Sequence, residues 1–416
     1  MSKLSRFARL FIHTSAAALS MLPLAAPYAV SAQARRPARL LMAHYMPWFQ
    51  ADPSAGKWGW HWTMNHWDPN KIVAGRRQIA SRYYPLIGPY DSSDPDLLEY
   101  HVLLMKFAGF DGATIDWNGT DDYYDYAQTN RNSEKLASLL KRAGLRYAIV
   151  YDDNCVRQLV LGGRLPQSSI VLHGQQTLQW LQKRWFSSPN YARFDDKPLF
   201  LVFGGNGGYY QGPQWDQIFA PLKTPPAYFT ELGRNRPAIG GFGWPVPDGG
   251  TQASFVALDN FYSWYTHTTD FVAVAYPRFD DIYAQAAVHK SWGKIDDQGG
   301  KTYEETMTKA LQSSSPVVQI ATWNDWGEGT QIEPSVEFGY RDLEATQRLR
   351  REYIDPQFPY ISQDLRLPTQ LYQLRKAHAK DSVFQAKLDK IAQLLFEGRT
   401  RAAQAVLAHF AESARR

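Results

Sequence analysis

The stretch Asp94–Trp117, DPDLLEYHVLLMKFAGFDGATIDW, reads as one helix followed by one strand. Asp94 is a suitable N-cap, Pro95 suits the first helical position, and Asp96 puts an acid in the first turn, so a helix is predicted over Asp94–Phe107. Gly112–Trp117 is a continuous apolar run rather than an alternation, as in a strand buried on both faces. Similar runs occur at Leu40–Tyr45, Arg146–Tyr151, Leu199–Phe203, Ile239–Trp244, Phe261–Tyr265, Phe271–Tyr276 and Val317–Trp323, with further helical patterns at Ser133–Ala143 and Gln176–Trp185. Eight strands alternating with helices predict an α/β fold, a (β/α)8 TIM barrel; an open doubly wound sheet is the alternative. Beyond Tyr340 the pattern changes, and Leu367–Phe410 reads as a hairpin of two amphipathic helices broken at Glu397-Gly398. The expected division is a signal segment over 1–32, a barrel over 33–345 and a C-terminal helical extension over 346–416.

The chain has 416 residues, 44% of them hydrophobic and 14% aromatic, which is ample for a large core and excludes wholesale disorder. Its formal charge of +5 owes three units to Lys3, Arg6 and Arg9, so the rest is nearly neutral and calls for no nucleic-acid partner. The single cysteine, Cys155, excludes an internal disulfide or a cysteine-based metal site. Leu10–Val30 is largely apolar and is followed by the small residues Ser31-Ala32, the layout of a cleaved secretory signal. No later run of about 18 apolar residues follows, so no membrane anchor is expected after cleavage. Few cysteines in an exported chain suit a bacterial periplasm or medium. Gly204–Tyr210 lacks the Lys-Ser/Thr of a phosphate loop.

In a barrel the strand C-termini form the face where chemistry is done. Reading off those ends gives His44, Tyr45 and Trp48, then Asp116 and Trp117, Asp152 and Asp153, Trp244, Tyr276 to Asp281, and finally Trp323 to Gly329. Carboxylates among aromatics, with no basic cluster, suit a neutral polyhydroxylated ligand, that is, a carbohydrate. The densest segment, Thr322–Glu333, places Asp325, Glu328 and Glu333 among Asn324, Thr330 and Gln331, with glycines at 327 and 329 that favour a loop. Two carboxyl groups brought to one bond are what glycoside cleavage requires: one protonates the leaving oxygen, the other acts as base or nucleophile. A solvated acidic turn or a calcium site is the structural alternative for such a segment.

The run Trp323-Asn324-Asp325-Trp326-Gly327-Glu328-Gly329-Thr330-Gln331-Ile332-Glu333-Pro334 resembles the signature of glycoside hydrolase families 71 and 99. Family 99 contains endo-α-mannosidases and α-mannanases, and family 71 contains α-1,3-glucanases. Supporting likenesses are Pro85–Asp94, Gly109–Trp117, and His44–Phe49 with His61-Trp62, so that the resemblance covers about residues 40 to 345. It implies that Glu328 is the general acid/base and Asp325 the second catalytic carboxylate. Family 99 has Glu at the position of Asp325 and His at that of Gly327; there the carboxylate deprotonates the sugar's own 2-hydroxyl. The Asn-Asp-Trp-Gly-Glu run is closer to family 71, whose members are thought to activate a water, whereas Gly329–Pro334 is closer to family 99. Asp is one methylene shorter than Glu, and a misplacement of about 1 Å can cost about 10²-fold in rate, so both kinds of base stay open.

The expected function is therefore that of an exported hydrolase of α-linked glycans, with no cofactor or metal required. Expected sugar contacts are His44, Tyr45, Trp48, Trp62, Asp116, Trp117, Asp152, Trp244, Tyr276, Arg278, Asn324 and Glu333. Arg278 could instead form a rim salt bridge with Asp280, and Asp152 and Asp153 could close the barrel through backbone hydrogen bonds. A non-hydrolytic glycan-binding or surface-glycan assembly protein is the second class. A lyase of uronic-acid polymers is a third, disfavoured by the near-neutral charge.

Overall fold

The computed structural model describes residues 39–204 and 208–413, with side chains to 408. The predicted signal segment 1–32, and residues 205–207 of the Gly204–Tyr210 stretch, lie outside the described residues. Eight parallel strands form the core: β1 (Leu40–Tyr45), β2 (Gly112–Trp117), β3 (Arg146–Asp152), β4 (Lys197–Phe203), β5 (Ala227–Glu231), β6 (Gly240–Phe242), β7 (Phe271–Ala275) and β8 (Val317–Ile320). Each pairs with the next, and β1 pairs with β8 in register Leu40↔Val317 to Ala43↔Ile320, so the sheet closes on itself. The open doubly wound sheet is thereby excluded. Closure leaves no edge to protect, and the strand positions are almost all buried, which is why the runs read as continuous rather than alternating.

Around the barrel run α1 (Pro95–Ala108), α2 (Tyr126–Arg142), α3 (Asn154–Leu161), α4 (Ile170–Leu181), α5 (Gly212–Phe219), α6 (Gly250–Trp264), α7 (Lys301–Gln312) and α8 (Arg341–Tyr353). As read from the sequence, Asp94 caps α1 by accepting from the Asp96 N–H at 3.0 Å, with Pro95 in the first turn. Gly109 ends it at φ 94°, a conformation that favours glycine.

One strand expectation is corrected and one unexpected strand is present. Phe261–Tyr265 is no strand: its first four residues end α6, where Ser254, Leu258 and Phe261 form a buried stripe at helical spacing and Trp264 faces solvent. The local run FYSWY has strand-like composition, but the 3.6-residue period over the longer window decides. The missing strand is β5, Ala227–Glu231, which follows Pro225-Pro226 directly and joins β6 through residues 232–239 without a helix.

The C-terminal region is also more divided than expected. It holds three helices, α9 (Arg366–Ala377), α10 (Ser382–Phe396) and α11 (Thr400–Ser413). The break at Glu397-Gly398 is present; a second lies at 378–381, where Asp381 caps α10 by accepting from the Phe384 N–H at 2.9 Å. Helix α9 packs on the outside of α1, and Arg375 grips Glu99 with Nε and Nη2 at 2.8 and 3.2 Å. Covered on both sides, α1 buries eleven of its fourteen residues, including Glu99, Tyr100 and His101. Full burial of each Leu, Val or Phe among them is worth about 1.5–3 kcal/mol. Among the described residues no helix is long and apolar enough to cross a membrane.

Candidate active site

The segment after β8 crosses the C-terminal mouth of the barrel and is held from several sides. Its Asn324 side chain accepts from the Met46 N–H at 2.8 Å and donates to the Met46 carbonyl at 3.0 Å, tying it to the loop after β1. Trp326 Nε1 donates to Tyr90 Oη at 3.0 Å, and Tyr90 donates to Glu333 at 2.7 Å. Glu333 also lies 3.0 Å from His101 Nε2 on α1, and His101 Nδ1 is 2.9 Å from Tyr45 Oη. The Thr322 hydroxyl accepts from the Asp325 N–H at 2.8 Å, and the Glu328 carbonyl accepts from the Asp280 N–H in the loop after β7 at 2.8 Å.

Within this frame Asp325 Oδ1 accepts from the Glu328 N–H at 2.9 Å, which leaves Oδ2 for other work. Burial pushes Asp325 up to about 6. Glu328 is raised well above its ordinary value, first by burial and then by the charges of Asp325, Asp281 and Glu231. Two carboxyl groups thus differ in protonation near neutral pH, one ionised and one still carrying its proton. Tyr283 Oη reaches Glu328 Oε1 at 3.4 Å. A Cβ on Gly327 would stand 2.9 Å from Met64 Cε and 3.5 Å from Asp325 Oδ1, so the smallest residue keeps the space beside the acids open.

Beside the pair, the ends of β1 to β3 supply His44, Asp116 and Asp152. Burial lowers His44 to about 4, so its imidazole is neutral, and its 3.8 Å approach to Asp116 is not an ion pair. Burial raises Asp116 to about 7, and burial with the charge of Asp116 raises Asp152 to about 6. His44 Nε2 and Asp116 Oδ1 are buried without a protein hydrogen-bond partner. Trp244 stands edge-on to His44 at 4.9 Å, and Trp48 stacks on His61 at 4.2 Å and 6°. Glu231, at the end of β5, joins this acidic mouth, raised by burial and by Asp152.

The expected sugar contacts therefore divide. His44, Asp116, Asp152, Trp48 and Trp244 stand with Asp325 and Glu328 at the strand ends. Tyr45, Trp62, Trp117, Tyr276, Arg278, Asn324 and Glu333 are fully or almost fully buried and engaged with protein. Trp62 Nε1 donates to the Tyr90 carbonyl at 2.7 Å, Trp117 Nε1 to Asn130 at 3.0 Å, and Tyr276 Oη meets Ser254 Oγ at 2.9 Å. Arg278 pairs with Asp297 and Asp342 rather than Asp280, and donates to the Gln331 carbonyl at 2.7 Å. Asp280 pairs instead with Arg82 and Lys294. Asp153 accepts from the Tyr209 and Tyr210 N–H groups, the backbone-closing role considered for it. Glu231, His61 and Tyr283 were not singled out as sugar contacts: Glu231 ends the unrecognised strand, and Tyr283 stands only two residues beyond the conspicuous Asp280-Asp281. Among the described residues no group of three or more His, Cys, Asp or Glu is placed to hold a metal ion.

Comparison with known proteins points the same way. A family model described as "Glycosyltransferase WbsX" matches residues 270–346, which include β7, β8 and the acidic segment. The glycoprotein endo-alpha-1,2-mannosidase-like protein of Mus musculus is 25% identical over 341 residues, 71% of this chain and 69% of its own. The glycoprotein endo-alpha-1,2-mannosidase of the same species is 22% identical over 335 residues, covering 71% and 68%. A solved GH99 endo-alpha-mannosidase from Bacteroides thetaiotaomicron superimposes with a TM-score of 0.55 at 20% identity, over 76% of this chain and 97% of that one. The fold is shared with that enzyme, and the curated relatives carry glycosidase names.

Proposed function

We propose that this chain is an exported glycoside hydrolase that cleaves α-linked bonds of a polysaccharide or oligosaccharide with Asp325 and Glu328. The observation that carries the reading is the adjacency of two buried carboxyl-bearing residues at the barrel mouth, Asp325 Oδ1 accepting from the Glu328 N–H at 2.9 Å, with burial and the Asp325 charge raising Glu328. Glu328, still protonated, donates its proton to the glycosidic oxygen as that bond to C1 breaks. Asp325, ionised, removes a proton through Oδ2 from the attacking oxygen, either a water or the sugar's own 2-hydroxyl. His44, Asp116 and Asp152 offer hydrogen bonds to hydroxyl groups, and the unpartnered His44 Nε2 and Asp116 Oδ1 cost about 1–3 kcal/mol each until a polar ligand fills them. The N-terminal pattern supports export to a bacterial periplasm or medium, and the α-mannosidase names of the relatives make α-mannans the first substrates to try.

The test is release of reducing ends by the chain from Gln33 onward over α-mannans, α-glucans and bacterial exopolysaccharides, with Glu328→Gln alongside. Release by the wild type that Glu328→Gln abolishes supports the reading, and NMR of the first-formed anomer then separates retention from inversion. The family description "Glycosyltransferase WbsX" favours a second reading, a glycan-binding or assembly protein on the same fold. Saturable binding without release, unchanged in Glu328→Gln, would favour that one.

A further inference from the structure

The loop after β7 carries three rings that lead outward from the acid. Tyr283 Oη is 3.4 Å from Glu328 Oε1. The His289 ring lies 4.4 Å from that of Tyr283, and Trp292 lies 4.7 Å from His289, centroid to centroid. Exposure rises along the series: Tyr283 is partly buried, while Trp292 is 57% exposed. A lone surface tryptophan needs no explanation. Here, however, the loop is held in place. Asp281, 1% exposed, accepts from the Trp292 N–H at 2.8 Å, the Ser291 hydroxyl at 2.9 Å and the Tyr283 N–H at 3.3 Å. A single buried carboxylate thus ties both ends of the loop together. Ile282 and Ala286 pack with Met64 and Ala80 of the first loop, anchoring it from below.

Direction follows from chemistry. The group that protonates the glycosidic oxygen faces the departing sugar, so rings that begin at Glu328 Oε1 and become exposed outward are placed on the departing side. We propose that Tyr283, His289 and Trp292 form a stacking platform for the sugars on the leaving-group side of the scissile bond. The assignment rests on the hydrolase reading above. Its ligand is a chain of pyranose rings, whose C–H faces match flat aromatic surfaces. The platform makes the identity and length of the leaving portion, and not only that of the retained sugar, a determinant of turnover.

The test uses the full chain from Gln33 with Trp292→Ala and, as a control, Trp264→Ala, an exposed tryptophan on α6 outside the site. Two substrates share one α-linked sugar: one leaves as an oligosaccharide, the other as fluoride, which is too small to reach Trp292. The ratio of kcat/KM for oligosaccharide over fluoride should fall about tenfold in Trp292→Ala and hold in Trp264→Ala. An unchanged ratio in Trp292→Ala overturns the platform. Calorimetric titration with α-linked mannotetraose and glucotetraose separates the two ideas. If the wild type cleaves nothing yet binds a tetrasaccharide at least tenfold more tightly than Trp292→Ala, the hydrolase reading falls and the platform stands as a binding site. Equal affinity, or no binding by the wild type, overturns the platform.

Discussion

Segment 323–333 ties its loop to the surrounding protein, whereas the neighbouring strand ends leave theirs open. Asn324, Trp326 and Glu333 anchor the first to the loop after β1, to Tyr90 and to α1. At the strand ends, His44 Nε2, Asp116 Oδ1 and Gln319 Nε2 are buried without protein partners. On the proposed reading, the difference separates a reacting pair from a recognition surface. Reacting carboxyl groups must be held to within a fraction of an ångström before substrate arrives, and the Asp325 and Glu328 N–H groups are both hydrogen-bonded, although Trp323 Nε1 and the Gln331 amide in the same segment lack a partner. A recognition surface for hydroxyl groups must keep its donors and acceptors free, at a cost in stability until the ligand comes.

The largest effect should come from breaking the fixed side. Glu328→Gln should lower kcat by roughly 10²–10⁴-fold on an unactivated glycan with little change in melting temperature. The wild-type rate should rise as pH passes about 6, where Asp325 ionises, and fall at higher pH as Glu328 loses its proton. A pH–rate profile lacking the rise near 6 would remove Asp325 as the base. Next, Glu333→Gln disrupts the buried contacts with His101 and Tyr90 and should cost about 3 kcal/mol in denaturant unfolding. A neutral result there would mean that the segment is held by its other ties alone.

On the open side the sign reverses. Asp116 is raised to about 7 in the fold, above its unfolded value, so its contribution is fully present below about pH 3.9 and is lost as pH rises through 7. Asp116→Asn should therefore melt higher than wild type at pH 8, gain nothing at pH 4, and bind glycan at least tenfold more weakly. A variant that loses stability at pH 8 would refute the view that these strand ends trade stability for recognition. Smallest is a control remote from both regions: Asp94→Ala removes the α1 cap and should cost about 1 kcal/mol without moving the pH–rate profile.

The two regions were unequally legible. The acidic segment stood out because its residue types cluster in a dozen positions, and the strand-end acids Asp116 and Asp152 followed from the barrel. Tyr45, Trp62, Trp117, Tyr276 and Arg278 belong to the same stretches but are directed into protein. Alternation along a strand and rotation around a loop decide that, and composition does not record it. Glu231 was lost with its strand, since Pro225-Pro226 before it and a loop instead of a helix after it hide the βα rhythm.

By itself the sequence determined the barrel, through seven correctly placed apolar runs alternating with helical patterns, and the acidic character of its mouth, through the density of acids after the last strand. Those are local properties, set by burial on both strand faces and by the residue types a reaction needs. Tertiary structure alone decided which acid keeps its proton and which buried polar atoms stay free. It also decided that Asp281 should join Tyr283 to Trp292 beside Glu328. Burial, through-space charge and hydrogen-bond closure depend on groups far apart in the chain, and only the closed barrel brings them within a few ångströms of one another.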